Sequence, residues 1–294
     1  GMLFMPNWSY ALPSGGQVVT NNGTITAGGK VMDITGSGNV AIDWNSFNIA
    51  ADEIVNFKNM QAVLNYVSGG SKSEIFGKLN GAGVNVFLVN PNGILFGKTA
   101  QVNVGQLTAS TRSLEKAALN SFNGSLSPLD AGGAANVKAD IINLGKLKAG
   151  KLVLEGNNLS IIGSDSLEVA DKSKITLRAG ENINIGYEVT DKTTIDVGDG
   201  KGNTHQVSDY GKGGGDKASD VLSTASVTDL KGSAKSINDA MLVHDVYELQ
   251  AIDRNTGTIN GSSYVVGNYM LAGDIDAGDT KNWKWCNRQF QRRF

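Results

Sequence analysis

The chain has one cysteine, Cys286, four prolines and two histidines in 294 residues. One thiol cannot build a disulfide scaffold, and with His205 and His244 it cannot complete a zinc set. Scarce proline and glycines without a period of three exclude collagen. Charged residues make up 18 % and the net charge is −2, with no basic stripe of the kind that nucleic-acid binding requires. No run of about 18 apolar residues is present, so no membrane-spanning helix is expected. What is abundant is glycine, at 38 residues, and asparagine, at 29. Both are poor helix formers, which argues against a helical bundle. With 40 % hydrophobic residues the chain is not a disordered tail. A β-rich protein with many tight turns remains.

Short alternating runs separated by Gly or Asn occur at Thr24–Thr26, Lys30–Ile34, Val40–Trp44, Ile54–Phe57 and Val84–Val89. Alternation sends one set of side chains inward and the other outward, as in a strand. Trp44 falls on the inward set of its run. Residues 151–163, KLVLEGNNLSIIG, align with 174–186, KITLRAGENINIG, at an offset of 23, pairing 152/175, 154/177 and 162/185. A repeat of this length indicates a solenoid, whose coils bury their inner faces only by stacking. Gly and Asn would turn its corners, and stacked Asn side chains would form ladders from coil to coil. Coils of about 20 to 25 residues would give ten to twelve rungs, a rod of about 50 Å. The one helical stretch expected is Ser113–Leu119, capped by Ser113.

The ends differ from the body. Gly1 before Met2 reads as a tag scar, and residues 1–10 as a possible signal-peptide remnant, with a small-x-small pattern at Ser9–Ala11. Residues 284–294, KWCNRQFQRRF, carry four basic residues and no acid. Without this atypical tail the balance is 22 basic against 28 acidic, or −6. Residues 208–236 include SDYGKGGGDKASD and read as a flexible Gly-rich loop or linker.

Two stretches carry a resemblance. The first is VFLVNPNGILFG at 86–97 followed by AQVNVGQLTAST at 100–111, with IDWNSFNI at 42–49, NYVSGG at 65–70 and IFGKL at 75–79 upstream. In order and spacing these resemble the filamentous haemagglutinin-like two-partner secretion domain over about residues 11–125, and the domain itself is expected to span residues 11–207. The second is VYELQAI at 246–252 with YMLAGDIDA at 269–277 and Trp283, which resembles a further β-helix or adhesin-type module at 237–283. An upstream Asn-Pro-Asn-Leu motif found in some members is missing; the nearest text is Asn56–Asn59.

The resemblance implies an all-β fold, a right-handed parallel β-helix with an N-terminal cap and extra-helical β elements. It implies the N-terminal piece of a large exported adhesin or haemagglutinin. Such a chain is read by a dedicated outer-membrane barrel transporter with periplasmic recognition domains. It passes through the periplasm and outer membrane of a Gram-negative-type bacterium and folds at the cell surface. A receptor or glycan on a host or neighbouring cell would be met by a region downstream. The first 285 residues hold no Cys, so no disulfide can lock the chain before translocation. The implied secretion motif is Asn90, Pro91, Asn92, Gly93 and Ile94. Trp44, Ser46, Phe47, Asn48, Gly97, Ala109, Ser110 and Thr111 are the supporting family residues. Physically, Pro91 fixes φ and Asn92–Gly93 suits a turn with positive φ, which makes the motif a corner. The sharper reading adds that this corner is the surface the transporter reads.

Enzymatic readings are weaker. β-Solenoids also serve as polysaccharide-degrading enzymes, which need grouped carboxylates in an open groove. Asp274 and Asp276 read as a solvated or turn-capping pair, and Asp196, Asp199 and Asp209 lack the spacing and closing Glu of a calcium loop. His244–Asp245 is no triad without a nucleophile. Trp8, Trp44 and Trp283 would be carbohydrate platforms only if exposed. The expectation is a non-enzymatic domain with no cofactor or metal. Two alternatives stand beside it: a polysaccharide-degrading enzyme, and the N-terminus of a contact-dependent toxin carrier.

Overall fold

The alternating runs are strands, and Gly and Asn stand at the bends between them. The computed structural model describes residues 12–127, 136–252, 256–259, 262–265 and 267–283. It divides into two units. One is Gly1–Asn184 with Leu222–Ile237, the other Ile185–Val221 with Asn238–Phe294.

The first unit is a parallel β-helix. It opens with β1 (Gln17–Val18), β2 (Gly23–Gly28), β3 (Val31–Gly36) and β4 (Asn39–Trp44). The second coil is β5 (Ile54–Lys58), β6 (Ala62–Val67) and β7 (Ser73–Ile75). Long strands β8 (Lys78–Val89) and β10 (Gln101–Ser110) each bend across two faces, with β9 (Ile94–Phe96) between them. Next come β11 (Ile141–Asn143), β12 (Lys146–Lys148), β13 (Lys151–Gly156) and β14 (Leu159–Ile161). The sixth coil is β15 (Leu167–Glu168), β16 (Ile175–Ala179) and the start of β17 (Ile183–Tyr187).

Three parallel faces result. One runs β4, β6, β8, β10, β13, β16. A second runs β7, β9, β11, β14. The third runs β3, β5, β8, β10, β12, β15. At the start β2 pairs antiparallel with β3 and β1 with β4, so a cap covers the edge strands of the first coil.

Inward residues fill the helix. Trp44, Phe47, Phe96, Ile34, Ile42 and Leu88 are all fully buried. Each such side chain contributes about 1.5 to 3 kcal/mol on leaving water. The strand residues 62–67 and 86–89 are buried on both sides, because the outward Ala62, Leu64, Tyr66, Phe87 and Val89 pack under Leu119 and Phe122. Phe87 meets Phe122 edge-on, with ring centroids 5.4 Å apart. Leu119 belongs to α1 (Lys116–Asn120), and Phe122 lies just past its end. This helix starts three residues later than the sequence suggests. Its N-cap is Glu115, with no side-chain cap bond, and Ser113 plays no capping part.

The expected asparagine ladders are present. Asn56 donates to Asp33 at 2.9 Å and Asn80 to Asn56 at 3.1 Å, one coil apart each time. Asn158 donates to Asp140 at 3.2 Å and Asn182 to Asn158 at 3.3 Å along a corner.

Three expectations change. Six coils run from β3 to β17, not ten to twelve, because residues 112–127, 136–140 and 188–221 build outside the coil path before β20 (Ser226–Thr228) resumes it beside β16. The repeat pairs Leu152 with Ile175 and Leu154 with Leu177, at the offset of 23. At the next corner the later coil is one residue longer, since the Leu159 N–H donates to the Asn182 carbonyl. Ile161 is therefore the fully buried residue, not Ile162, and the 162/185 pairing is off by one. The third change concerns residues 208–236, which are not a bare linker.

Their Leu222–Ile237 part returns to the first unit with β20 (Ser226–Thr228), which pairs with β16. The second unit holds the end of β17, a hairpin of β18 (Lys192–Asp196) and β19 (Thr204–Ser208), α2 (Ala218–Val221) and β21 (Asn238–Val243). It also holds α3 (Val246–Ala251), a hairpin of β22 (Thr256–Ile259) and β23 (Ser262–Val265), and β24 (Tyr269–Leu271). Its core gathers Tyr187, Val189, Ile195, Val207, Tyr210, Met241 and Val243. Within the expected further β-helix or adhesin-type module, residues 246–251 are a helix. Asp245 caps it by accepting from the Glu248 N–H at 2.8 Å. Trp8 and the 284–294 tail with Cys286 lie outside the described residues.

Candidate functional site

The Asn90–Ile94 corner joins β8 to β9. Asn90 is fully buried, and its side chain is bonded through both its amide nitrogen and its oxygen. The amide group donates to the Ser71 carbonyl and the Ser73 hydroxyl, both at 3.0 Å. Its oxygen accepts from the Asn92 backbone N–H at 2.9 Å, which closes an Asx turn. Its backbone N–H donates to the Ser110 carbonyl at 2.9 Å. Pro91 comes next, half-buried. Asn92 is exposed, and its amide donates to the Gly69 carbonyl at 2.7 Å. Gly93 has φ +116°, a region that L side chains rarely adopt, and a Cβ there would stand 3.3 Å from the Asp140 carbonyl. Ile94 is buried and pairs with Ser73 and Ile141 on the second face.

The corner is one of several stacked corners. The coil before it turns at residues 68–73, and the one before that at 45–49. Trp44 ends β4 at 1 % exposure, meets Phe47 edge-on at 5.6 Å and donates to the Asn65 side chain at 3.0 Å. It is core, so it offers no carbohydrate platform. The Ser46 and Ser14 hydroxyls are 2.6 Å apart. Asn48 accepts from the Glu74 N–H at 2.8 Å, which locks the first corner to the second. Gly69 lies so close to Asn45 that a Cβ would overlap its carbonyl. The Gly97 N–H donates to the Ile75 carbonyl, and Phe76 stands where a Gly97 Cβ would be. Ala109, Ser110 and Thr111 are buried at the end of β10, and Thr111 donates to the Ala139 carbonyl at 2.8 Å.

The motif residues, apart from Gly97 at the next corner between β9 and β10, lie along one set of stacked corners. Most of them hold it from inside. The exposed part is Asn45, Ser68, Gly70, Ser71, Lys72 and Asn92. Residues 68–70 belong to the NYVSGG stretch of the resemblance, but Ser71 and Lys72 carried no sign in the sequence that they share this surface.

It also missed the brace behind Ser110. Glu155 is 1 % exposed. It accepts from Arg112 at 2.7 and 2.9 Å and from the Ser110 hydroxyl at 2.6 Å, with Arg178 at 3.3 Å. Burial pushes the Glu155 carboxyl up, but the Arg112 hydrogen bonds and charge outweigh it and hold the pKa below the usual carboxylate value. A cavity of about 310 Å³ is lined by this group with Phe87, Thr108, Leu126 and Lys151. The carboxylate in its lining is Glu155, already held by two guanidiniums, which gives it no free acid–base partner.

The acidic clusters considered for metal or catalysis serve turns. Asp196, Asp199, Asp209 and Asp276 accept from the N–H groups of Gly198, Lys201, Gly211 and Gly278. Among the described residues no three metal-ligating side chains gather.

The described residues form a capped parallel β-helix with the motif residues at its corners. The TPS secretion domain family matches residues 9–268, and the chain belongs to that family. It is 33 % identical over 177 residues to a heme/hemopexin-binding protein of the Rd strain of Haemophilus influenzae, covering 58 % of this chain and 19 % of that protein. A second Haemophilus influenzae heme/hemopexin-binding protein is 41 % identical over 99 residues, 33 % of this chain and 11 % of that one. The chain therefore spans about a fifth or less of these relatives. The crystal structure of the HMW1 secretion domain from Haemophilus influenzae aligns with TM-score 0.40 and 26 % identity, over 59 % of this chain and 55 % of that one. Membership makes the chain the secretion domain of a two-partner secreted exoprotein, exported through the periplasm and outer membrane to the cell surface or beyond. It implies an outer-membrane transporter as partner. The family is one of secretion domains, not of enzymes.

Proposed function

We propose that the Asn90–Ile94 corner, with the stacked corners at 45–49 and 68–73, is the surface that the outer-membrane transporter reads. One observation carries this reading: Asn90 anchors the corner from inside with its whole side chain, while Asn92 stands exposed beside Ser71 and Lys72. After recognition, the first coils fold outside the cell and offer an open edge on which later coils add. The exoprotein as a whole then serves adhesion or haemagglutination through a receptor or glycan on a host or neighbouring cell.

Co-expression with and without the partner transporter tests this. The chain should reach the medium only with the transporter present, and Asn92→Ile should reduce the secreted amount. Secretion without the transporter, or undiminished secretion of Asn92→Ile, would overturn the reading. A second reading rests on the name that both Haemophilus relatives carry, and gives the exoprotein heme or hemopexin as ligand. Capture of hemopexin by the full-length secreted protein, without cell attachment, would favour it over adhesion.

A further inference from the structure

His244 lies between the end of β21 and the Asp245 cap of α3. Its Nδ1 lies 2.7 Å from Glu248 and its Nε2 2.8 Å from Glu188. Ionised carboxylates only accept, so two such bonds require both ring nitrogens to carry protons. The geometry is therefore that of an imidazolium bridging two carboxylates. The two differ. Glu248 is 5 % exposed and also accepts from the Ser208 and His244 backbone N–H groups, both at 3.1 Å. Glu188, just past β17, is exposed.

We propose that His244 is a proton-operated latch in the second unit: charged, it ties Glu188 to the start of α3, and on losing its proton it releases Glu188. A neutral imidazole has one N–H. The buried Glu248 keeps it, because an unmet buried carboxylate costs more than an exposed one. The Nε2 lone pair then faces the Glu188 carboxylate and repels it.

Other charged groups face this site. From β19, His205 stands 3.8 Å from Asp245 and stacks on Tyr247 at 4.2 Å. From β18, Lys192 donates to the Ser208 hydroxyl at 3.1 Å. The Tyr210 hydroxyl donates to the Leu242 carbonyl, and burial, followed by the nearby Glu248 charge, pushes its pKa up. Tyr210 therefore stays neutral throughout the range in which His244 titrates. Around His244 burial lowers the pKa, but the hydrogen bonds its ring donates to Glu188 and Glu248 outweigh it, so the value stands above 6.5. For Glu248 burial raises the pKa, but the Ser208 and His244 bonds outweigh it, so the value stands below 4.5.

The signs give a window. A raised histidine pKa stabilises fully below 6.5 and loses that stability as pH rises through the folded value. A lowered carboxyl pKa stabilises fully above 4.5 and loses it as pH falls through the folded value. The latch is therefore most closed between 4.5 and 6.5 and opens on the alkaline side.

An NMR titration of the two histidine rings in the whole chain tests it, with His205→Gln assigning the signals. His244 should titrate above 6.5, and Glu188→Gln should move its midpoint down while the fold persists, since Glu188 is exposed. His244→Gln should also flatten the loss of unfolding stability between neutral and alkaline pH. A wild-type midpoint at or below 6.5, or one that Glu188→Gln leaves in place, would overturn the latch.

Discussion

At the scale of single residues, the family motif separates into residues that hold and one that is shown. Asn90 holds. Asn90→Ala leaves the Ser71 carbonyl, the Ser73 hydroxyl and the Asn92 N–H without their partner. The expected loss is about 1 to 3 kcal/mol in urea unfolding, because the Ser73 hydroxyl is buried and stays unmet while Ser71 and Asn92 are exposed to water. Gly93→Val adds a side chain at φ +116° and should cost about 1 to 3 kcal/mol. Asn92→Ile should change stability much less, because Asn92 is exposed and its contacts lie at the surface. Trp44→Phe keeps an aromatic ring but removes the bond to the fully buried Asn65, with an expected cost of about 1 to 3 kcal/mol. The corner was legible in the sequence because Pro91 and Gly93 restrict the backbone locally. The inward set of β4 was legible by period alone. The two bonds of the Asn90 amide were not, since Ser71 and Ser73 come from the coil before, and nothing local marks a contact 17 or 19 residues away.

At the scale of elements, the end of β10 depends on a buried charge. Arg112→Met leaves Glu155 with Arg178 and Ser110 only, and should cost about 3 to 5 kcal/mol, as breaking a buried pair does. The pH dependence comes from the lowered Glu155 pKa. Its stabilisation is complete above 4.5 and is lost as pH falls through the folded value. Glu155→Gln should therefore weaken the protein at neutral pH and shrink its acid sensitivity below 4.5, as read from unfolding midpoints across pH. This brace was invisible in the sequence. Arg112, Glu155 and Arg178 sit in three different coils, and each reads singly as a surface charge. The α3 helix was missed for a different reason. The sequence was read there only through its resemblance to a further module, and the Asp245 cap with Glu248 three residues on was the local sign that a helix begins there.

At the scale of the molecule, the three faces explain why glycine and asparagine are so common. Each coil needs three corners, and each corner needs a residue that turns or a side chain that stacks. The offset of 23 revealed the coil length, but chain length did not give the coil number, because residues 112–127, 136–140 and 188–221 build outside the coil path. The first unit recruits Leu222–Ile237, and β20 covers the edge of β16. A chain ending at residue 207 loses that strand. It should melt at a lower temperature than the full chain by circular dichroism and self-associate more, since an open parallel edge is left. An equal melting temperature would show that β20 adds nothing to the first unit.

The most direct measurement of the central claim is the affinity of the purified chain for the periplasmic recognition domains of its transporter. Asn92→Ile should weaken that binding at least about tenfold, or about 1.4 kcal/mol, while its melting temperature stays near that of the unaltered chain. Unaltered binding by a folded Asn92→Ile chain would contradict the claim that the transporter reads this corner.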